Sequence, residues 1–415
     1  MNANRLFDVV VVGAGMVGAA TAALLARAGF SVAIVEHREP APFDPAAPVG
    51  LRVSAFSPGS VEVLREAGAW RQIERQRHCA YRRMIVEDRD ETTVLQFDAP
   101  EFGLEQLGTI IENDLVQWTL WQSLLATGGV EIVCPGSVEA LDLAPDECRV
   151  SLQDGSMLRA RLLVGADGAG SRVRQLLGIR QDHWEYGQQG VVGVVHTATP
   201  NRGVAWQRFM EGGPLAFLPL LDGSSSIVWS RPAAEATRLL ALDDDDFAGE
   251  LRRAAAGGEG HWPDHVTACG PRAAFPLTMR LSERYTARRA VLVGDAAHVV
   301  HPLAGQGVNL GLLDAAGLVE ILVEARARQD DVAAEKTLSK YGRWRRSEAE
   351  IMARGIHNIR GLFMPEELGL LRRVGIRLVA RSWTAKEAFI RRATGRHRNA
   401  PALARGTALT QLLHP

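Results

Sequence analysis

The feature that most constrains this chain is its opening run, DVVVVGAGMVGAATAALLARAGFSVAIVEH. A β-branched stretch, a glycine turn, an Ala/Leu-rich helical stretch and a second β-branched stretch make a βαβ unit, and therefore a parallel sheet. Gly13, Gly15 and Gly18 form G-x-G-x-x-G directly after the first strand and at the start of the helix. Glycine there permits a tight turn, close approach of backbone to a pyrophosphate and close packing of helix on strand. Glu36 ends the second strand eighteen residues past Gly18, where a carboxylate can accept hydrogen bonds from ribose hydroxyls. Strand, helix, strand and acid together specify a dinucleotide site. They do not separate FAD from NAD, because both use this arrangement.

Two further glycine motifs follow strands. LLVGADGAGSRVR carries Asp167, Gly168 and Arg174, and AVLVGDAAHVVHPLAGQGVNLG carries Gly294, Asp295, His298, His301, Pro302, Gly305, Gln306, Gly307 and Asn309. One nucleotide does not need three such sites, so a long, extended cofactor touching several strand ends is implied. His298 and His301 admit three readings: a metal site, an acid/base pair, or bracing of a cofactor loop. No third ligand stands at suitable spacing, so no metal is assigned. Bracing and a proton-transfer role both stay open, and no side chain is assigned as catalytic.

Between about Gly190 and Trp229 short apolar stretches are divided by EGG and DGSSS turns, which indicates an antiparallel meander; residues from about Tyr81 to Phe97 alternate in the same way. The expected organisation is an α/β fold: a Rossmann-type dinucleotide-cofactor domain made of residues 1–75, 99–182 and 275–345, an inserted mixed or antiparallel β-sheet substrate domain at 76–98 and 183–274, and a helical, basic region at 346–415. Phe217, Leu218, Pro219 and Trp229 offer either apolar surface to a substrate ring or ordinary core. The acidic run Asp243 to Asp246 reads as a solvated turn.

The three fingerprints together resemble those of the class A FAD-dependent aromatic hydroxylases, with a glutathione-reductase-like cofactor domain. Within that group, G-D-A-A-H followed by H-P-x-A-G-Q-G-x-N-x-G is similar to the ubiquinone-biosynthesis hydroxylases. VEHREPAPF, AYRRM and GPLAFLPL are similar to the branch that hydroxylates the 3-methyl-6-methoxy-polyprenyl-benzoquinol intermediate. The resemblance implies that Asp295 binds the ribityl chain of FAD and that Pro302 to Asn309 line the flavin ring. It places Arg52 along the cofactor and Asn113 near the ribityl or pyrophosphate. It links Asp167 and Arg174 to pyrophosphate and NAD(P)H contacts. NAD(P)H would be the electron donor, binding without a domain of its own, and O₂ the co-substrate. Reduced flavin C4a would carry the oxidation, so the protein's task is to position an electron-rich ring and exclude water. The helix starting near Gly307 would point its N-terminus at the flavin N1/C2=O edge. Three other readings remain: hydroxylation of another ring position or another aromatic, a FAD-dependent prenyl reductase, and a flavin-binding scaffold of a biosynthetic complex.

Composition sets the remaining bounds. At 415 residues and 47% hydrophobic, the chain can bury a large core, and a net charge of −1 gives no general pull toward nucleic acid. Cys79, Cys134, Cys148 and Cys269 are scattered without metal or disulfide spacing, which fits a reducing, cytoplasmic setting. Arg372 to Arg398 holds nine Lys or Arg and one acid among apolar residues. Such a segment suits the anionic inner face of a membrane, a partner in quinone biosynthesis, a homo-oligomer contact or a solvated helix face.

Overall fold

The computed structural model describes residues 5–88, 94–256, 263, 266–300, 306–363 and 369–414. Its first sheet has the parallel strand order Ala290–Leu292, Met157–Gly165, Leu6–Val12, Val32–Val35, Val130–Val133. The strands are mostly apolar, with Val9–Val12, Val32–Val35, Leu162–Gly165 and Ala290–Leu292 buried, because helices cover this part of the sheet on both faces. The helix Met16–Arg27 buries an unbroken run from Gly18 to Leu25, which explains its alanines: they let it lie close to the sheet and to the helices Asn113–Ala126 and Gln306–Ala327.

A second sheet has eight strands in the order His298–Val299, Val266–Ser282, Gln181–Thr197, Ser225–Pro232, Leu215–Pro219, Val204–Arg208, Arg83–Glu87, Val94–Asp98. Its strands are antiparallel except where Val204–Arg208 runs parallel to Arg83–Glu87. Two of them, Gln181–Thr197 and Val266–Ser282, are 17 residues long and run through the boundaries expected at 182/183 and 274/275. A three-stranded sheet, Val53–Phe56, Gly108–Glu112 and Cys79–Tyr81, completes the architecture.

Asp243 to Asp246 are not a turn. Asp243 caps the helix Asp244–Ala255 by accepting from the Asp246 amide at 2.8 Å, and the other three acids fill its first turn. Carboxylates there favour the positive end of the helix dipole, a local gain that a bare acidic run does not reveal.

The basic C-terminal segment forms helices Gly369–Arg381 and Trp383–Ala393. It docks on the far edge of the second sheet through the stacked pairs Phe97–Phe389 and Phe102–Trp383. The chain then returns to the nucleotide half: the Gly59 amide donates to Thr394 O at 2.9 Å, and Leu403, Ala404 and Leu409 join its core.

Candidate functional site

The three glycine motifs meet because they leave the C-terminal ends of neighbouring parallel strands, with Val12 paired to Gly165 and Gly165 to Leu292. Ligands of open α/β sheets bind in the crevice outside such ends. Gly13 has φ +98°, and a side chain there would put Cβ 2.5 Å from Ala166 O. Gly18 is tighter still, with Cβ 2.0 Å from Gly13 O. Gly15 differs: no protein atom would lie within 4 Å of its Cβ, and as N-cap it supplies no side chain to the first-turn amides of its helix. Open space in front of uncommitted helix N-terminal donors fits a pyrophosphate. Gly168, φ +79°, also faces open space. Glu36 is buried at the second strand's end, where its carboxylate accepts from the Ala14 amide at 2.6 Å and the His37 amide at 2.8 Å.

Asp167 serves the turn that carries it, accepting from Ser171 Oγ and from the Val173 amide at 3.0 Å. Arg174 is buried and ties two motifs together, donating to Ala169 O and to Ala296 O, each at 3.0 Å. Gly294, φ +58°, packs on Val17, and a Cβ at Gly311 would come within 2.6 Å of the same side chain. The first helix, the late loop and the helix Gln306–Ala327 therefore close on one another at glycines.

Asp295 is open to solvent although protein encloses it on most sides, the situation of a side chain within a cleft. Burial holds its carboxyl above the ordinary range, against the opposing charges of His298 and Arg52. Arg52 is exposed beside it, and its carbonyl accepts from the Asn113 amide at 2.9 Å. The Asn113 side chain is half-buried and accepts from Ser54 Oγ at 2.7 Å. The proline-rich loop before Arg52 is held by Arg77, which donates to Ala47 O at 2.6 Å and pairs with buried Glu112 at 2.6 Å.

Gln306 and Gly307 open their helix, and Asn309 is buried with its amide spent on backbone: it accepts from the Ser57 amide and donates to Ala55 O, both at 2.8 Å. His301, Pro302 and Gly305 lie outside the described residues. His298 is fully buried, with Nε2 2.6 Å from Asp314 Oδ2. Arg345, also buried, donates to Asp314 Oδ1 at 2.8 Å. Burial pushes the Asp314 carboxyl up, but His298 and Arg345 outweigh it and hold the group below the ordinary range. Among the described residues no cluster of three or more His, Cys, Asp or Glu gathers, and the four cysteines are free thiols. A cavity of about 20 Å³ behind this cluster, lined by Ser57, Asn309, Arg345 and Glu348, has room for one water and is not a dinucleotide seat.

Phe217 and Trp229 face away from the cleft. Both are buried with Trp206, Phe247 and Leu251 between the second sheet and the helix Asp244–Ala255. Of the two readings open for Phe217 and Trp229, ordinary core is the one the packing gives at those positions, because alternate residues of a strand serve opposite faces. Pro219, also buried, ends the same strand, while Leu218 points to the other face. There it packs with Val194 and Leu220 against Ala55 and Ile110 of the small sheet.

Asp314, Arg345 and Arg77 escaped the sequence reading. Asp314 had a signal: it is the only charged residue in the first thirteen positions of an otherwise apolar helix beginning at Gln306.

The chain matches the family described as FAD binding domain over residues 7–355. It is 37% identical to the 3-demethoxyubiquinol 3-hydroxylase of Escherichia coli (strain K12), covering 94% of this chain and 99% of that one. It is 33% identical to the ubiquinone hydroxylase UbiL of Rhodospirillum rubrum, covering 98% and 95%. Pseudomonas aeruginosa PqsL, solved in complex with 2-aminobenzoylacetate, superposes with a TM-score of 0.75 at 26% identity, covering 90% of this chain and all of that one. The family, the shared fold and the glycine loops at three adjacent strand ends agree: this chain belongs to the FAD-binding flavin monooxygenases, enzymes that use NAD(P)H and O₂.

Proposed function

We propose that this protein hydroxylates a polyprenylated benzoquinol ring in ubiquinone biosynthesis, at the 2-polyprenyl-3-methyl-6-methoxy-1,4-benzoquinol stage. The observation that carries this reading is the likeness over nearly the whole chain to a 3-demethoxyubiquinol 3-hydroxylase, 37% identical, joined to three glycine loops at adjacent strand ends that fit FAD. Bound FAD supplies the oxygen-activating chemistry. The chain's own residues hold the cofactor and present a dry surface to an electron-rich ring. Glu36 and Asp295 would take sugar and ribityl hydroxyls, the amides around Gly15 the pyrophosphate, and Arg52 the cofactor's flank. Residues 76–98 and 183–274 would form the substrate domain on the remainder. The Escherichia coli and Rhodospirillum rubrum relatives are named a demethoxyubiquinol hydroxylase and a ubiquinone hydroxylase, which supports the substrate class.

Purified protein with FAD, NAD(P)H and the demethoxy-type quinol should consume O₂ in step with a product one oxygen atom heavier. Turnover under strict anaerobiosis would overturn the monooxygenase reading in favour of a prenyl reductase. A product hydroxylated elsewhere on the ring would move the protein to another branch.

We further infer peripheral contact with an anionic membrane, where the quinol's apolar tail resides. Exposed Val374 and Leu378 lie among exposed Arg377, Arg381 and Arg391 on the C-terminal helices. Among the described residues no helix is long and apolar enough to cross a membrane. Reversing those three arginines to glutamate should abolish flotation with anionic liposomes; undiminished flotation sinks the idea. Truncating the chain at Gly369 is a poorer test, because it also removes Leu403, Ala404 and Leu409 from the core.

A further inference from the structure

The late loop hangs on one carboxylate. Asp314 Oδ2 accepts both from the Gly294 amide, at 3.1 Å, and from His298 Nε2, at 2.6 Å. A carboxylate that is ionised only accepts, so Nε2 carries the proton and donates. One oxygen therefore ties the first and fifth residues of the loop together, and Asp295 lies between them. The other oxygen is immobilised by Arg345, with no solvent access to either partner. From the opposite side Arg174 and the Ser282 amide hold Ala296 O and Ala297 O, at 3.0 and 2.9 Å. Asp295 stands out from this fixed frame into the cleft. His298 Nδ1 has no partner among the described residues, so its only polar engagement there is with Asp314.

We propose that His298 is a positioning residue for bound FAD: its Nε2–H bond to Asp314 fixes the turn that aims Asp295 at the cofactor. The proposal rests on the reading of Asp295 as a cofactor ligand. It assigns the imidazole neither metal binding nor proton transfer to substrate, because the ring is shut off from the cleft surface by its burial.

The test exploits side-chain geometry. The terminal amide of glutamine reaches the place of Nε2, whereas that of asparagine stops near Nδ1. FAD dissociation constants, measured by flavin fluorescence, should stay within threefold of the parent protein for His298→Gln and weaken tenfold or more for His298→Asn. The absorption band of bound flavin should shift only for the second. A packing role alone would penalise both alike, and equal losses overturn the proposal. If the asparagine variant does not fold, the glutamine variant decides: a tenfold loss there is incompatible with the bond being what matters. Asp295→Ala should weaken FAD binding by itself, and adding His298→Asn to it should cost no more than a further twofold, since both act through one contact. Additive losses overturn positioning while leaving Asp295 as a ligand. An Asp295→Ala protein that binds FAD normally removes the ligand and the proposal together.

Discussion

Gly15→Ala should weaken FAD binding about a hundredfold while leaving the cofactor-free protein as stable as before, and Gly18→Ala should do the reverse damage first, to the fold. At Gly15 an added methyl meets no protein atom within 4 Å, and its backbone, φ −62°, suits any residue. The methyl instead enters the space before the helix amides. Displacing a phosphate from two such donors forfeits about 1.5 kcal/mol for each charge-assisted bond, which makes roughly the hundredfold. At Gly18 the methyl would lie 2.0 Å from Gly13 O, a backbone atom that cannot turn aside. The helix would have to lift from the sheet, costing about 3 kcal/mol, the upper part of the range for forced overpacking. Thermal midpoints with and without FAD, together with a fluorescence titration, separate the two effects. Unaltered FAD affinity in Gly15→Ala would remove the pyrophosphate from this loop.

Arg345→Met should cost about 3–5 kcal/mol, the penalty for leaving a buried charge without its partner. Asp314 and Arg345 are both fully enclosed, so bulk solvent cannot screen the charge left behind. The exposed pair Arg238–Glu235 makes a control, since breaking a surface ion pair costs at most about 1 kcal/mol. Acid should reduce the difference. The folded protein holds the Asp314 carboxyl below its ordinary value, so the pair's contribution is complete above about pH 3.9 and fades as pH falls through the depressed value. In the variant, burial acts with less opposition and raises the carboxyl, so its protonation relieves the unpaired charge at milder acidity. Denaturant midpoints should therefore lie far apart at neutral pH and converge as pH drops. A gap that stays constant would mean that the pair does not act through charge.

The nucleotide half was legible because each of its signals is local. Three glycine turns after β-branched runs report strand ends, and a parallel sheet can bring those ends together only along one edge. The remaining misreadings have a common physical cause, which is that facing and pairing are tertiary. Phe217 and Leu218 are adjacent and both apolar, and period-two alternation sends them to opposite faces without indicating which face is covered by the helix Asp244–Ala255. His298 could be flagged as polar in an apolar stretch, yet its meaning depends on Asp314 and Arg345, 16 and 47 residues farther on. Glu112 and Arg77 likewise gain a role only once the proline-rich loop folds over them.

The return of the chain end to the nucleotide half also sets a timetable for biosynthesis. Thr394 receives the Gly59 amide, Glu320 receives that of Ala402, and Glu66 that of Leu409, so contacts of the early helix Pro58–Glu66 and of the helix Gln306–Ala327 wait for residues 394–409. The strand Ala290–Leu292 arrives late as well. During synthesis the emerging βαβ unit therefore has apolar surface that stays uncovered until residues 290–292 and 394–409 have been made and docked on it.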